Sequence, residues 1–117
     1  KIDENLILFG LSGSFLISEA EKIGLKTASE VFADRTYQTD GSLTPRNQPN
    51  ALIVSPEKSI EQVLQMITQK TVTATTDEII PIVAETICLH GDGAHAVEFA
   101  QTINRCLREN GIKIEAF

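Results

Sequence analysis

The chain has 117 residues, of which 42% are hydrophobic and 22% charged, and a formal net charge of -6. This is enough chain for one domain, or one piece of one, with a core that needs no disulfide or metal staple, and the composition gives no argument for intrinsic disorder. The acidic balance, with no clustered Lys or Arg stretch, speaks against nucleic-acid and anionic-membrane partners, and with neither a membrane-length apolar run nor a signal peptide in sight a cytoplasmic protein is expected.

The first predicted element is a buried strand over Leu6 to Phe9, closed by Gly10. Ser12, Gly13 and Ser14 then open a helix whose apolar positions Leu16, Ala20 and Ile23 recur at helical spacing, and Gly24 stands where a C-terminal cap belongs. A second strand is expected over Ser29 to Ala33. From Asp34 to Asn50 no period survives, and Gly41, Pro45, Asn47, Pro49 and Asn50 mark a long loop. Loops of this length in compact domains are commonly lids or binding loops, the plain alternative being a disordered surface excursion.

Ser55 and Pro56 form the N-cap and first position of the next helix, with Ile60, Val63, Leu64 and Ile67 on one stripe. Thr71 to Thr76 and Ile79 to Ala84 read as a hairpin turning at Asp77 and Glu78, with Pro81 confining the second strand to an edge. Thr86 to Leu89 is a third core strand. It leads through His90, Gly91 and Asp92 into a long helix with Val97, Ala100, Ile103, Asn104 and Leu107 on its buried side and Gly111 at its end. A last alternation, Ile112 and Ile114, is placed as an edge strand.

Alternating strands and helices predict a parallel α/β sheet with helices outside. A closed barrel of this type takes about eight strands, so three strand-helix units predict an incomplete domain over residues 1–117. Its remaining units are expected before Lys1 or in another chain.

Working residues in such folds gather where strands end. The third strand ends in His90, whose imidazole suits acid, base or metal-ligand chemistry near neutral pH, although a lone histidine is also an ordinary hydrogen-bonded residue. Asp92 can act with it or simply cap the following helix, and His95 reads as a polar surface residue. The second strand ends in Asp34 and Arg35, and the loop offers Arg46. Two arginines at a rim suit an anionic substrate, with an Asp34–Arg35 ion pair as the structural alternative. Gly10 to Ser14, small residues before a helix N-terminus, can hold an anion, although the lysine of a phosphate loop is absent. Cys88 and Cys106 are too few and too far apart for a zinc site and read as buried reduced thiols; Cys88 lies two residues before His90 and shares a strand face with it, which permits a nucleophile without other support.

Three stretches carry a family resemblance: "VFADRTYQTDGSLTPRNQPNALI" from Val31, "TICLHGDGAHAVEFA" from Thr86 and "FGLSGS" from Phe9. In order and spacing they resemble the LamB/YcsF family over nearly the whole chain. The resemblance implies a distorted β/α barrel, similar to polysaccharide deacetylase barrels. It implies the activity of the 5-oxoprolinase A subunit, the ATP-dependent opening of the 5-oxo-L-proline lactam to L-glutamate, with ATP entering through a complex with subunits B and C. By motif position His90, Asp34 and Asp92 are the catalytic candidates, and Arg35 and Arg46 the substrate binders; any metal is left undetermined. The family's N-terminal half, with its own Asp- and His-rich motifs, is not in these residues. Two other readings stand beside this one: a metal-dependent carbohydrate deacetylase-like hydrolase, and a non-catalytic interaction fragment that completes another protein's barrel.

Overall fold

The computed structural model describes residues 5–90 and 95–116. Strand β1 (Ile7–Leu11), helix α1 (Phe15–Lys22) and strand β2 (Lys26–Phe32) are followed, after the long excursion, by helix α2 (Pro56–Leu64). A π-helical turn (Gln65–Gln69) continues α2, and β3 (Thr71–Thr73), β4 (Ile79–Pro81), β5 (Thr86–Cys88) and α3 (Ala96–Glu109) complete the order. The fold is mixed α/β: β1, β2 and β5 form one sheet in the order β1-β2-β5, while β3 and β4 pair apart from it.

Both pairings in the three-stranded sheet are parallel, running from Ile7 opposite Lys26 to Leu11 opposite Glu30, and from Glu30 opposite Thr86 to Phe32 opposite Cys88. In-register parallel strands turn equivalent residues to one side and their neighbours to the other. Gly10, Ser29, Val31 and Ile87 therefore share a face, and helix α1 lies on it: a methyl group on Gly10 would meet the Ile17 side chain at 3.1 Å. Val31 packs there in one cluster with Val63 and Met66 from the α2 arm and Ile103 and Leu107 from α3. The opposite face carries Phe9, Ala28, Glu30, Phe32 and Cys88. Phe9 is 46% exposed, and the described helices all pack on the other side.

The helices end as their residues require. Gly24 (φ 83°) and Gly111 (φ 75°) adopt the left-handed conformation after α1 and α3. Behind them Leu25 N–H donates to the Ala20 carbonyl at 3.0 Å and Ile112 N–H to the Leu107 carbonyl at 2.9 Å, which satisfies carbonyls the helix leaves over. Ser55 caps α2 by accepting from Lys58 N–H. The hairpin turns with Asp77 in the left-handed region (φ 69°) and an Asp77 N–H bond to the Ala74 carbonyl.

The structure corrects four expectations. Strand β1 runs to Leu11, two residues past its expected end, and β2 begins at Lys26, three before Ser29, because its hydrogen bonds with β1 extend through a segment with no apolar alternation. The hairpin ladder is limited to three residues on each side. Ile112 and Ile114 form no strand, since Ile112 is spent on capping α3. Finally, Asp34 to Asn50 is a folded excursion. Its ends zip together through antiparallel bridges between Arg35 and Leu52 and between Tyr37 and Leu43, and Tyr37 and Thr44 are buried within it. Among the described residues, no helix is long and apolar enough to cross a membrane.

Candidate functional site

Asp34 and His90 each lie two residues beyond paired positions, Phe32 and Cys88, of adjacent parallel strands. The ladder continues past the strand ends through Ala33 N–H and the Cys88 carbonyl at 3.2 Å. Both side chains therefore emerge from the same face, the one the described helices leave open. The Asp34 carboxylate meets His90 Nδ1 at 2.8 and 3.0 Å, and the Phe32 ring lies 6.1 Å from the imidazole, tilted by 31°.

Arg46 arrives from the folded excursion and sets its Nη2 2.6 Å from His90 Nε2. An ionised carboxylate only accepts and a guanidinium only donates. Asp34 therefore demands the proton on Nδ1, and Arg46 demands the lone pair on Nε2. The row Asp34–His90–Arg46 holds a neutral imidazole in one tautomer, with its basic nitrogen turned to a cation. The His90 and Asp34 side chains keep 25% and 21% of their surface exposed, respectively, and line a cleft of about 590 Å³ with Val54, Leu89, His95 and Phe99.

Of the sequence candidates, the fold thus brings together Asp34, His90 and Arg46. Arg35 goes elsewhere. The expected Asp34–Arg35 ion pair is replaced by separate contacts: Asp34 takes His90, while Arg35, 6% exposed, donates from Nη2 to the Thr44 carbonyl at 2.7 Å. Asp92, as acid/base or as helix cap, lies outside the described residues; α3 starts with His95 at its N-cap, without a side-chain capping bond. His95 is exposed beside Glu98 at 3.5 Å, as expected of a surface residue. Cys88 and Cys106 are unbridged but half-buried rather than buried. Burial, then the Glu30 and Asp34 carboxylates, pushes the Cys88 thiol up, so the protonated form persists at neutral pH and the thiolate a nucleophile needs is disfavoured. Among the described residues no three His, Cys, Asp or Glu side chains are grouped to hold a metal.

Residue-by-residue reading missed the supports of this site. Tyr37, wholly buried, accepts at its hydroxyl from Phe32 N–H at 2.9 Å. Ser59 donates its hydroxyl to the Ala33 carbonyl. Gln62 Nε2 reaches the Phe32 and Arg35 carbonyls at 3.1 and 2.9 Å. Together they tie the end of β2, from which Asp34 projects, to α2 and to the excursion. The three-residue spacing of Ser59 and Gln62, one turn apart on α2, was the available signal.

The sequence model of the LamB/YcsF family matches residues 1–117. This chain belongs to the LamB/YcsF family. It is 55% identical over 115 residues to the 5-oxoprolinase A subunit of Tolumonas auensis, covering 98% of this chain and 46% of that protein. It is 51% identical over 116 residues to the 5-oxoprolinase A subunit of Bacillus subtilis, covering 99% and 45%. The structure superposes on the crystal structure of the lactam utilization protein from Thermus thermophilus with a TM-score of 0.89 and 32% identity, over 98% of this chain and 45% of that one. The chain therefore spans about half the length of the relatives it matches.

Proposed function

We propose that this chain is the C-terminal part of the A subunit of an ATP-dependent 5-oxoprolinase, a cytoplasmic hydrolase that opens the lactam of 5-oxo-L-proline to L-glutamate together with subunits B and C. The relatives named as 5-oxoprolinase A subunits support the activity. The open sheet face supports the architecture: a parallel sheet is normally covered on both sides, and here the second cover is the rest of a β/α barrel, whose lumen the face with Phe9, Glu30, Phe32 and Cys88 becomes.

The observation that carries the reading is the Asp34–His90–Arg46 row at the strand ends. Lactam hydrolysis forms a bond from water oxygen to the ring carbonyl carbon and breaks the ring C–N bond; the water must lose a proton and the departing nitrogen must gain one. Nε2 of an Nδ1-protonated imidazole suits the first transfer, and the resulting imidazolium can deliver the second, with Asp34 stabilising its charge. Arg46 occupies that lone pair in the structure. An anionic substrate group draws the guanidinium away, frees Nε2 only when substrate is present, and gains a charge-assisted partner. ATP supplies the driving force through the complex. Asp92 stays in the proposal as a second carboxylate on sequence position alone, and Arg35 as a buried support of the site rather than a direct ligand of the anion.

The test is His90→Gln in the full-length protein assembled with its partner subunits. Loss of a general acid–base costs about 10²–10⁴-fold in rate, so glutamate formation should fall by that much while the subunits still co-purify. Undiminished turnover would remove His90 from the chemistry.

A further inference from the structure

Arg35 is a buried charge for which the proposed proton transfer has no use. Among the described residues its side chain bonds to the Thr44 carbonyl, and its Nε meets no acceptor. An incompletely paired guanidinium in the interior is costly, so stability alone does not account for it. Its surroundings are rigid: the Arg35 backbone bridges to Leu52, and its carbonyl accepts from Gln62. Thr44, 1% exposed, is locked through its N–H to the Thr36 carbonyl at 3.0 Å and through the paired Thr36 and Thr44 hydroxyls at 2.7 Å. Pro45, with its fixed φ, is the sole residue between Thr44 and Arg46. Arg46 itself is exposed, and its Nη2 reaches His90 Nε2 at 2.6 Å.

We propose that Arg35 is a positioning residue for the His90 site: by holding the Thr44 carbonyl it sets the backbone from which Arg46 reaches His90 Nε2. The two arginines of the excursion thus have different duties. Arg46 faces the imidazole and the substrate anion, and Arg35 fixes the distance between them without touching either. This assignment rests on the reading of His90 as the proton-transfer group.

The experiment is a double-mutant cycle on the full-length protein, read by ¹⁵N chemical shifts of the His90 imidazole and by turnover in the assembled complex. In the unaltered protein the shifts should report a proton on Nδ1 and a hydrogen-bonded lone pair on Nε2. Arg46→Ala should move the Nε2 signal. Arg35→Met should move it the same way, and Arg35→Met combined with Arg46→Ala should match Arg46→Ala alone. A misplacement of about 1 Å can cost up to about 10²-fold; kcat should fall on that scale in Arg35→Met, and because Arg46 receives the substrate anion, KM for 5-oxoproline should rise no further than it does in Arg46→Ala. An unmoved His90 signal in Arg35→Met overturns the proposal. So does a rise in KM that persists in the Arg46→Ala background, which would make Arg35 a direct substrate ligand. Arg35→Gln, also too short to span to Thr44, stands in if the Met variant does not fold, and failure of both to fold would show a core-building residue instead. The spectroscopic arm needs no turnover, so a complex inactive on 5-oxoproline would refute the proposed activity while the His90 shifts still decide the role of Arg35.

Discussion

At the residue scale, the tautomer of one imidazole organises the site, and Asp34 sets it. Asp34→Asn keeps the size of the side chain but lets an amide N–H face Nδ1, which favours the proton on Nε2, where it confronts Arg46. On the proposed lactam-opening role, that variant should fold normally and lose about 10²–10⁴-fold in kcat, measured as glutamate formation by the full-length protein with its proposed partner subunits; a loss under about twofold would mean that the tautomer is irrelevant to the rate. Tyr37 invites a test of stability. Burial pushes its phenol up to about 12 from an ordinary 10.0. The folded state therefore holds a proton that the unfolded chain gives up, and this contribution is complete below pH 10 and is lost as pH rises towards 12. Chemical denaturation should show an alkaline decline in stability over that window, and Tyr37→Phe should flatten it. Because Phe32 N–H would lose its acceptor, the same variant should cost about 1–3 kcal/mol at neutral pH. His90 and Asp34 were legible in the sequence, because residues just past paired strands reach the rim on any parallel sheet. Arg35 and Arg46 were not separable: as residue types both suit anions, and only the folded path of the excursion buries one and exposes the other.

At the element scale, the excursion from Asp34 to Ile53 decides the site. Its Gly, Pro and Asn content reads as coil, and no hydrophobic period betrays it, because its order comes from main-chain bonds such as Thr36 N–H to the Ala51 carbonyl at 3.0 Å and Ile53 N–H to the Asp34 carbonyl at 2.9 Å. Such bonds are indifferent to side-chain type, which is why pattern reading passes over them. Helix α2, in contrast, was plain from Ser55, Pro56 and its stripe, since capping and amphipathic spacing are written in the residues themselves. What α2 does for the site is carried by Ser59, wholly buried against the Ala33 carbonyl. Ser59→Ala leaves that carbonyl buried with one partner fewer. It should lower stability by about 1–3 kcal/mol in urea titration, and a change within about 0.5 kcal/mol of zero, the usual range for surface substitutions, would show that the carbonyl is satisfied without it.

At the scale of the whole molecule, the described helices pack on one face of the three-stranded sheet, and the other face carries exposed Phe9 beside half-buried Phe32 and Cys88 and buried Ala28. The parallel direction of the core strands followed from the alternation of strands and helices, but that alternation gives neither their order in the sheet nor whether further strands close it. The residues of the open face do bear on it. Phe9, at 46% exposure in this chain, sits two positions before Leu11 in the row that points away from the helices, and Glu30, Phe32 and Cys88 lie in register beside that row. If the remainder of a β/α barrel encloses that row, Phe9 is a core residue of the full-length protein and Phe9→Ala should destabilise it by about 3–5 kcal/mol, as truncation of a buried aromatic does. If the sheet stays open, the same change is a surface substitution worth at most about 0.5 kcal/mol. Denaturant unfolding of the full-length protein and its Phe9→Ala variant separates the two by several kcal/mol, and a small effect would leave the barrel without the lumen on which the placement of Asp34, His90 and Arg46 at its mouth depends.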